Sequence, residues 1–167
     1  MQPRLAKKAR CDMIGSIVLA ALVTLHPSLD EGTQVRLLAL WPQIEAAACI
    51  AEVEPDVIAA IVTTESAGHP ETYNILSGAE GPGQVIWGYH WLHLEAAGLS
   101  RDDLQDPIFG VLAIGAVLRY IREHYGKSGQ LGLCLYAVGN DADEFMHDCR
   151  SSRLHMAISR DVRSGGV

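Results

Sequence analysis

Four residues, Ile58, Ile61, Val62 and Glu65, fall at relative positions 0, 3, 4 and 7, which is one face of a 3.6-residue helix. Glu65 therefore closes an otherwise apolar stripe at the helix's C-terminal end. Two readings stay open for it: a helix-end residue turned to solvent, or a carboxyl held partly dry. Charged side chains are rarely buried unless paired, and no Lys or Arg stands near Glu65 in the chain. Desolvation raises a carboxyl pKa, and a carboxyl that keeps its proton can deliver it as a general acid. Other groups offer less. His90 and His93 lie at i, i+3 and could share a metal, but no third ligand stands at suitable spacing, so no metal and no cofactor is implied. The cysteines, Cys11, Cys49, Cys134 and Cys149, form no C-x-x-C pair or zinc pattern. Cys49 and Cys134 fall in apolar helical stripes and read as free buried thiols.

The residues after Glu65 narrow the choice. Gly68 and Pro70 stop the helix, and a loop runs through Gly78, Gly81, Gly83 and Gln84. The stretch 68–83 is too long for a simple connection, and loops of this length inside a domain are often functional. Further on come Asp106-Pro107, opening a long helix, and Leu135-Tyr136-Ala137-Val138-Gly139. In this order the chain resembles the lytic transglycosylases of the SLT type, which are related to goose-type lysozymes. That family reads E-S-x-x-x-P, G-A-x-G-x-x-Q, a D-P helix with a later glycine, and A-Y-N-A-G. Here the pieces stand as Glu65-Ser66 to Pro70, Gly78-Ala79 to Gln84, Asp106 to Gly115, and Leu135 to Gly139, so the resemblance spans roughly residues 41–145.

The resemblance implies a mainly α, lysozyme-like helical domain with a Gly-rich cleft loop or short β-ribbon. It also implies cleavage of the β-1,4 bond between N-acetylmuramic acid and N-acetylglucosamine in peptidoglycan, with glycan strands as the partner. Glu65 would be the single catalytic carboxyl, giving a 1,6-anhydro product. Ser66, Gln84, Tyr136, Gly81 and Gly83 would bind substrate: Ser66 by orienting Glu65 or sugar, the glycines by letting backbone approach the ligand. Two departures matter. Ala137 replaces the motif's asparagine, and Pro82-Gly83 occupies the place of an expected methionine. If Glu71, Glu80 or Asp141 faced Glu65 across the sugar, the enzyme would hydrolyse as goose-type lysozymes do. A non-catalytic, structural role in a phage particle or secretion machine is the remaining alternative.

The elements that must position these residues are legible along the chain. Residues 1–27 combine a basic start (Arg4, Lys7, Lys8, Arg10) with the uncharged run 13–25. They read as a packed or docking helix, or as a signal or anchor. Residues 28–160 form the lysozyme-like domain, and 161–167 a frayed tail. Ser28 to Glu31 reads as a capping box, followed by the stripe Leu37, Leu40, Trp41, Ile44, Ala47, Ala48, Ala51, which Pro42 should break. Glu54-Pro55-Asp56 starts the Glu65 helix. Trp87, Tyr89 and Trp91 could stack on sugar rings or pack in the core. Asp106 caps a central helix with the stripe Ile108, Val111, Ile114, Leu118, Ile121, Tyr125, and Asn140-Asp141 caps a last one.

At 167 residues with 49% hydrophobic composition, one domain with a real core is expected. A net charge of −7 excludes nucleic acid as the main partner and disfavours anionic membrane surfaces. The same charge fits poorly with an anionic cell wall. Either the cleft carries its own local field, or the protein is delivered to its substrate in the bacterial cell envelope, the periplasm, by a phage or secretion assembly.

Overall fold

A computed structural model describes residues 29–126 and 129–138. The segment 1–27, the cap at Asn140-Asp141 and the tail 161–167 lie outside these residues. Six α-helices are present among them: α1 (Glu31–Ala39), α2 (Trp41–Ala51), α3 (Pro55–Ser66), α4 (Trp87–Ala96), α5 (Phe109–Tyr125) and α6 (Gly129–Val138). A 3-10 turn, Asp102–Gln105, precedes α5. Between α3 and α4 the chain makes three two-residue strands, β1 (Tyr73–Asn74), β2 (Ala79–Glu80) and β3 (Val85–Ile86). They form an antiparallel meander, with Tyr73 opposite Glu80 and Ala79 opposite Ile86. The ribbon expected from Gly78 onward is thus present, with β1 as an additional strand.

Pro42 separates α1 from α2 and takes the first turn of α2, where its missing amide is not needed. The N-cap of α1 is Asp30 rather than Ser28. Its carboxylate accepts from the Thr33 amide at 2.9 Å and from the Thr33 hydroxyl at 2.6 Å, so a local two-oxygen cap replaces the expected box. Asp106 caps α5 as its sequence suggests, accepting from the amides of Ile108 and Phe109.

α5 is the hub. Val111, Ile114 and Leu118 pack into a cluster with α1, α2, α3 and Leu133. Its other side, Ala113, Ala116, Val117 and Ile121, packs against Val85, Leu94, Leu99, Leu104 and Leu135. The expected stripe is buried only in its middle: Ile108 and Tyr125, at the two ends, are exposed. Helix α2 crosses α5 closely because both surfaces are bare. Ala47, Ala48 and Ala51 are fully buried, and a Cβ on Gly115 would stand 2.5 Å from the Ala47 carbonyl oxygen. Arg122, from α5, donates to the Ala51 carbonyl at 2.6 Å and pairs with Glu52 at 3.2 Å, closing the C-terminus of α2.

The cysteines depart from expectation. Cys49 and Cys134 are both disulfide-bonded, not free thiols. Cys49 lies on the exposed side of α2, while Cys134 is buried in the second cluster. Helical periodicity reports burial and carries no information about an oxidised partner distant in sequence.

The α2–α5 crossing yields a test of opposite signs. Gly115→Ala should cost roughly 1–3 kcal/mol in urea unfolding, since backbone rather than a flexible side chain must give way. Gly88→Ala, in α4 with nothing within 4 Å, should stabilise by roughly 0.5–1 kcal/mol. Equal effects from the two would refute the close crossing.

Candidate active site

Glu65 comes from the last turn of α3, an element whose apolar face is fully buried at Ile58, Ile61 and Val62. The helix cannot continue past it. Ala67 turns left-handed at φ 51°, and Gly68 comes next at φ 81°. Arg36 of α1 donates from Nε to the Ala67 carbonyl at 2.8 Å and from Nη2 to the Thr33 hydroxyl at 3.0 Å. The end of the helix that carries Glu65 is therefore fixed by a side chain from another helix.

Ser66, buried beside Glu65, has its hydroxyl engaged by the protein. Its hydroxyl donates to the Pro82 carbonyl at 2.8 Å, lies 3.1 Å from the Val62 carbonyl, and accepts from the Gly68 amide at 3.1 Å. It ties the end of α3 to the Gly-rich loop. The glycines of that loop lie close against the helical body. A Cβ on Gly81 (φ 74°) would collide with the Leu104 carbonyl, and one on Gly83 would meet Ile114 and the Tyr136 hydroxyl at 2.4 and 2.6 Å. Tyr136 of α6 donates its hydroxyl proton to the Gly83 carbonyl at 2.7 Å. Burial, with a smaller contribution from the charge of Glu65, pushes the Tyr136 phenol well above its usual range, so it remains a neutral O–H.

These contacts leave a cleft of ≈ 130 Å³ lined by Glu65, Gln84, Val85, Ile86, Tyr89, His90, Tyr136 and Ala137. The structure brings Glu65, Gln84 and Tyr136 to this cleft, and places Ser66, Gly81 and Gly83 behind its wall. Gln84 adopts a left-handed backbone at φ 49°, and its amide nitrogen donates to the carbonyls of Thr72 and Gly81. Its nitrogen is spent on the loop, which leaves its carbonyl oxygen as the end to offer a ligand. Ala137, where the motif has asparagine, contributes only a methyl.

Among the described residues lining the cleft, Glu65 is the one carboxylate, and no Lys or Arg joins it. The other candidate carboxylates stand elsewhere. Both oxygens of Glu80 are engaged, by Arg101 at 2.8 Å and Gln105 at 3.0 Å, and the side chain is buried. Glu71 is exposed on the loop and does not line the cleft. Asp141 lies outside the described residues. The three aromatic residues separate: Trp87 packs against the second core cluster, Trp91 is half exposed outside the cleft, and Tyr89 lines it with 72% of its surface free.

Two residues placed at or near the cleft have no clear signal in the chain. Arg36 reaches the end of α3 across 31 residues. His90, which the spacing suggests only as half of a metal pair, is instead a cleft residue whose pKa is pushed down to about 4, first by burial and then by His93. Burial likewise lowers His93, with help from His124. His93 stacks on Tyr120 with ring centroids 3.2 Å apart.

The transglycosylase SLT domain model matches residues 42–146 of the chain. A search of curated proteins finds no match.

The His90 shift has a consequence for stability. A histidine depressed from 6.5 to about 4 stabilises the fold fully above pH 6.5 and loses that contribution as pH falls towards 4, because the unfolded chain takes up the proton first. Between pH 7 and 4.5 the wild type should lose on the order of 2 kcal/mol more than His90→Gln, after discounting for partial exposure. Parallel stability curves for the two proteins in that window would contradict the buried neutral imidazole.

Proposed function

Because the chain belongs to the SLT transglycosylase family of peptidoglycan-cleaving enzymes, we propose that it cuts the N-acetylmuramic acid–N-acetylglucosamine bond with Glu65 as its single catalytic group. The observation that carries this reading is the composition of the cleft, where Glu65 is the one carboxylate among the described residues. A hydrolytic glycosidase needs a second carboxylate to activate water or to act as nucleophile. With one, the same group must act twice. Protonated Glu65 gives its proton to the glycosidic oxygen as the bond to C1 of the muramic residue breaks. The resulting carboxylate takes the proton of that residue's C6 hydroxyl, whose oxygen bonds to C1. The sugar leaves as the 1,6-anhydro form, no water is consumed, and Glu65 is again protonated.

The surroundings support such a role. The Tyr136 proton is committed to Gly83, so this phenol offers the cleft an oxygen acceptor and no donor. The Gln84 carbonyl oxygen can receive an N–H or O–H from a sugar. Goose-type hydrolysis would require a second acid, and Glu80 is already paired with Arg101 and Gln105.

We propose the bacterial cell envelope as the site of action. Bonded Cys49 and Cys134 fit an oxidising compartment. The overall charge of −7, with no cation among the described cleft residues, fits delivery by a phage particle or secretion machine better than electrostatic capture of an anionic wall.

Digestion of purified peptidoglycan with mass spectrometry of the released muropeptides tests the reaction. Wild type should release anhydro-muramyl products, and Glu65→Gln should be slower by roughly 10²–10⁴, the usual worth of a general acid–base. Reducing muramic ends would replace the single-carboxyl scheme with hydrolysis. Failure of the wild type to cut would remove the enzymatic reading.

A further inference from the structure

His90 differs from every other residue of the cleft in having one sealed nitrogen and one open one. Its Nδ1 is buried and has no hydrogen-bond partner. Its Nε2 makes no hydrogen bond to any described residue and is not sealed, and the side chain lines the cleft with Glu65 and Tyr89. The tautomer is set by this asymmetry. A buried N–H without an acceptor costs more than a bare lone pair in the same place, so the proton sits on Nε2. The charge state is set as well: burial, then His93, holds the ring neutral. The side of the ring that is not sealed therefore offers an uncharged N–H donor.

The His90 and His93 rings are 6.5 Å apart and inclined at 55°, and His93 lies flat against Tyr120. Tyr89, one residue before His90 and 72% exposed, lines the same cleft. An aromatic face beside a neutral donor suits a pyranose ring bearing oxygen acceptors.

We propose that His90 is a substrate-binding residue of this cleft, donating an Nε2–H hydrogen bond to an oxygen acceptor of the bound glycan; this rests on the glycan-cleft reading above. The bond would orient the strand by a group that neither competes with Glu65 for its proton nor adds charge near it.

The test separates donor from packing. In the Glu65→Gln background, calorimetric binding of a tetrasaccharide of alternating N-acetylglucosamine and N-acetylmuramic acid should weaken about tenfold with His90→Leu. With His90→Gln, which keeps an N–H donor, it should stay within about threefold of the parent. In the active protein, His90→Leu should raise KM for glycan strands by a similar factor and leave kcat within about twofold. Unchanged binding in both variants, or equal loss in both at matched melting temperature, would overturn the assignment. If the wild type binds glycan and responds to His90→Leu yet cuts nothing, the proposed reaction fails and the His90 assignment stands. If the Glu65→Gln protein binds no glycan, the His90 assignment falls.

Discussion

The Gly-rich loop rests on the helical body at separations that leave no room for side chains, and the cleft exists because of that contact. Gly81 sits against the Leu104 carbonyl, and Gly83 against Ile114 and the Tyr136 hydroxyl. Two hydroxyls from different helices then take the loop's carbonyls: Ser66 of α3 holds Pro82, and Tyr136 of α6 holds Gly83. Because each buried carbonyl is satisfied by a partner on an opposite side, the loop is located in two directions at once. Gln84 and Val85 come immediately after and inherit that position.

Polar groups in this region divide into those spent on the fold and those left to a ligand. Ser66, the Gln84 amide nitrogen and the Tyr136 proton are spent. Among the described residues, the cleft surface is left with one carboxyl, two oxygen acceptors, an imidazole and a tyrosine ring. Glycosidic cleavage needs proton traffic at one atom and shape recognition around it, and this remainder matches that division.

Much of this is legible in the chain because it depends on local chemistry. The apolar stripe through Ile58, Ile61 and Val62 puts Glu65 at a helix end, Pro42 splits a helix, and Asp106 caps α5, all through contacts within a few residues. The motif residues Glu65, Gln84 and Tyr136 also converge. The failures share a cause too. In the sequence the loop glycines suggest openings for a ligand, yet the space at Gly81 is filled by the Leu104 carbonyl, 23 positions on in sequence. The bonded state of Cys49 and Cys134 and the pairing of Glu80 with Arg101 likewise depend on which distant segments meet. No periodicity records that.

Arg36 closes the end of α3 with its Nε on the Ala67 carbonyl, while its Nη2 holds the guanidinium to the Thr33 hydroxyl of its own helix. A lysine, with a single flexible ammonium, cannot make both contacts at once in that planar arrangement. Position 36 therefore constrains the end of the glutamate's helix while touching none of the described groups in the cleft. The precision of the glutamate is inherited from α1, a helix that lends the site no lining residue.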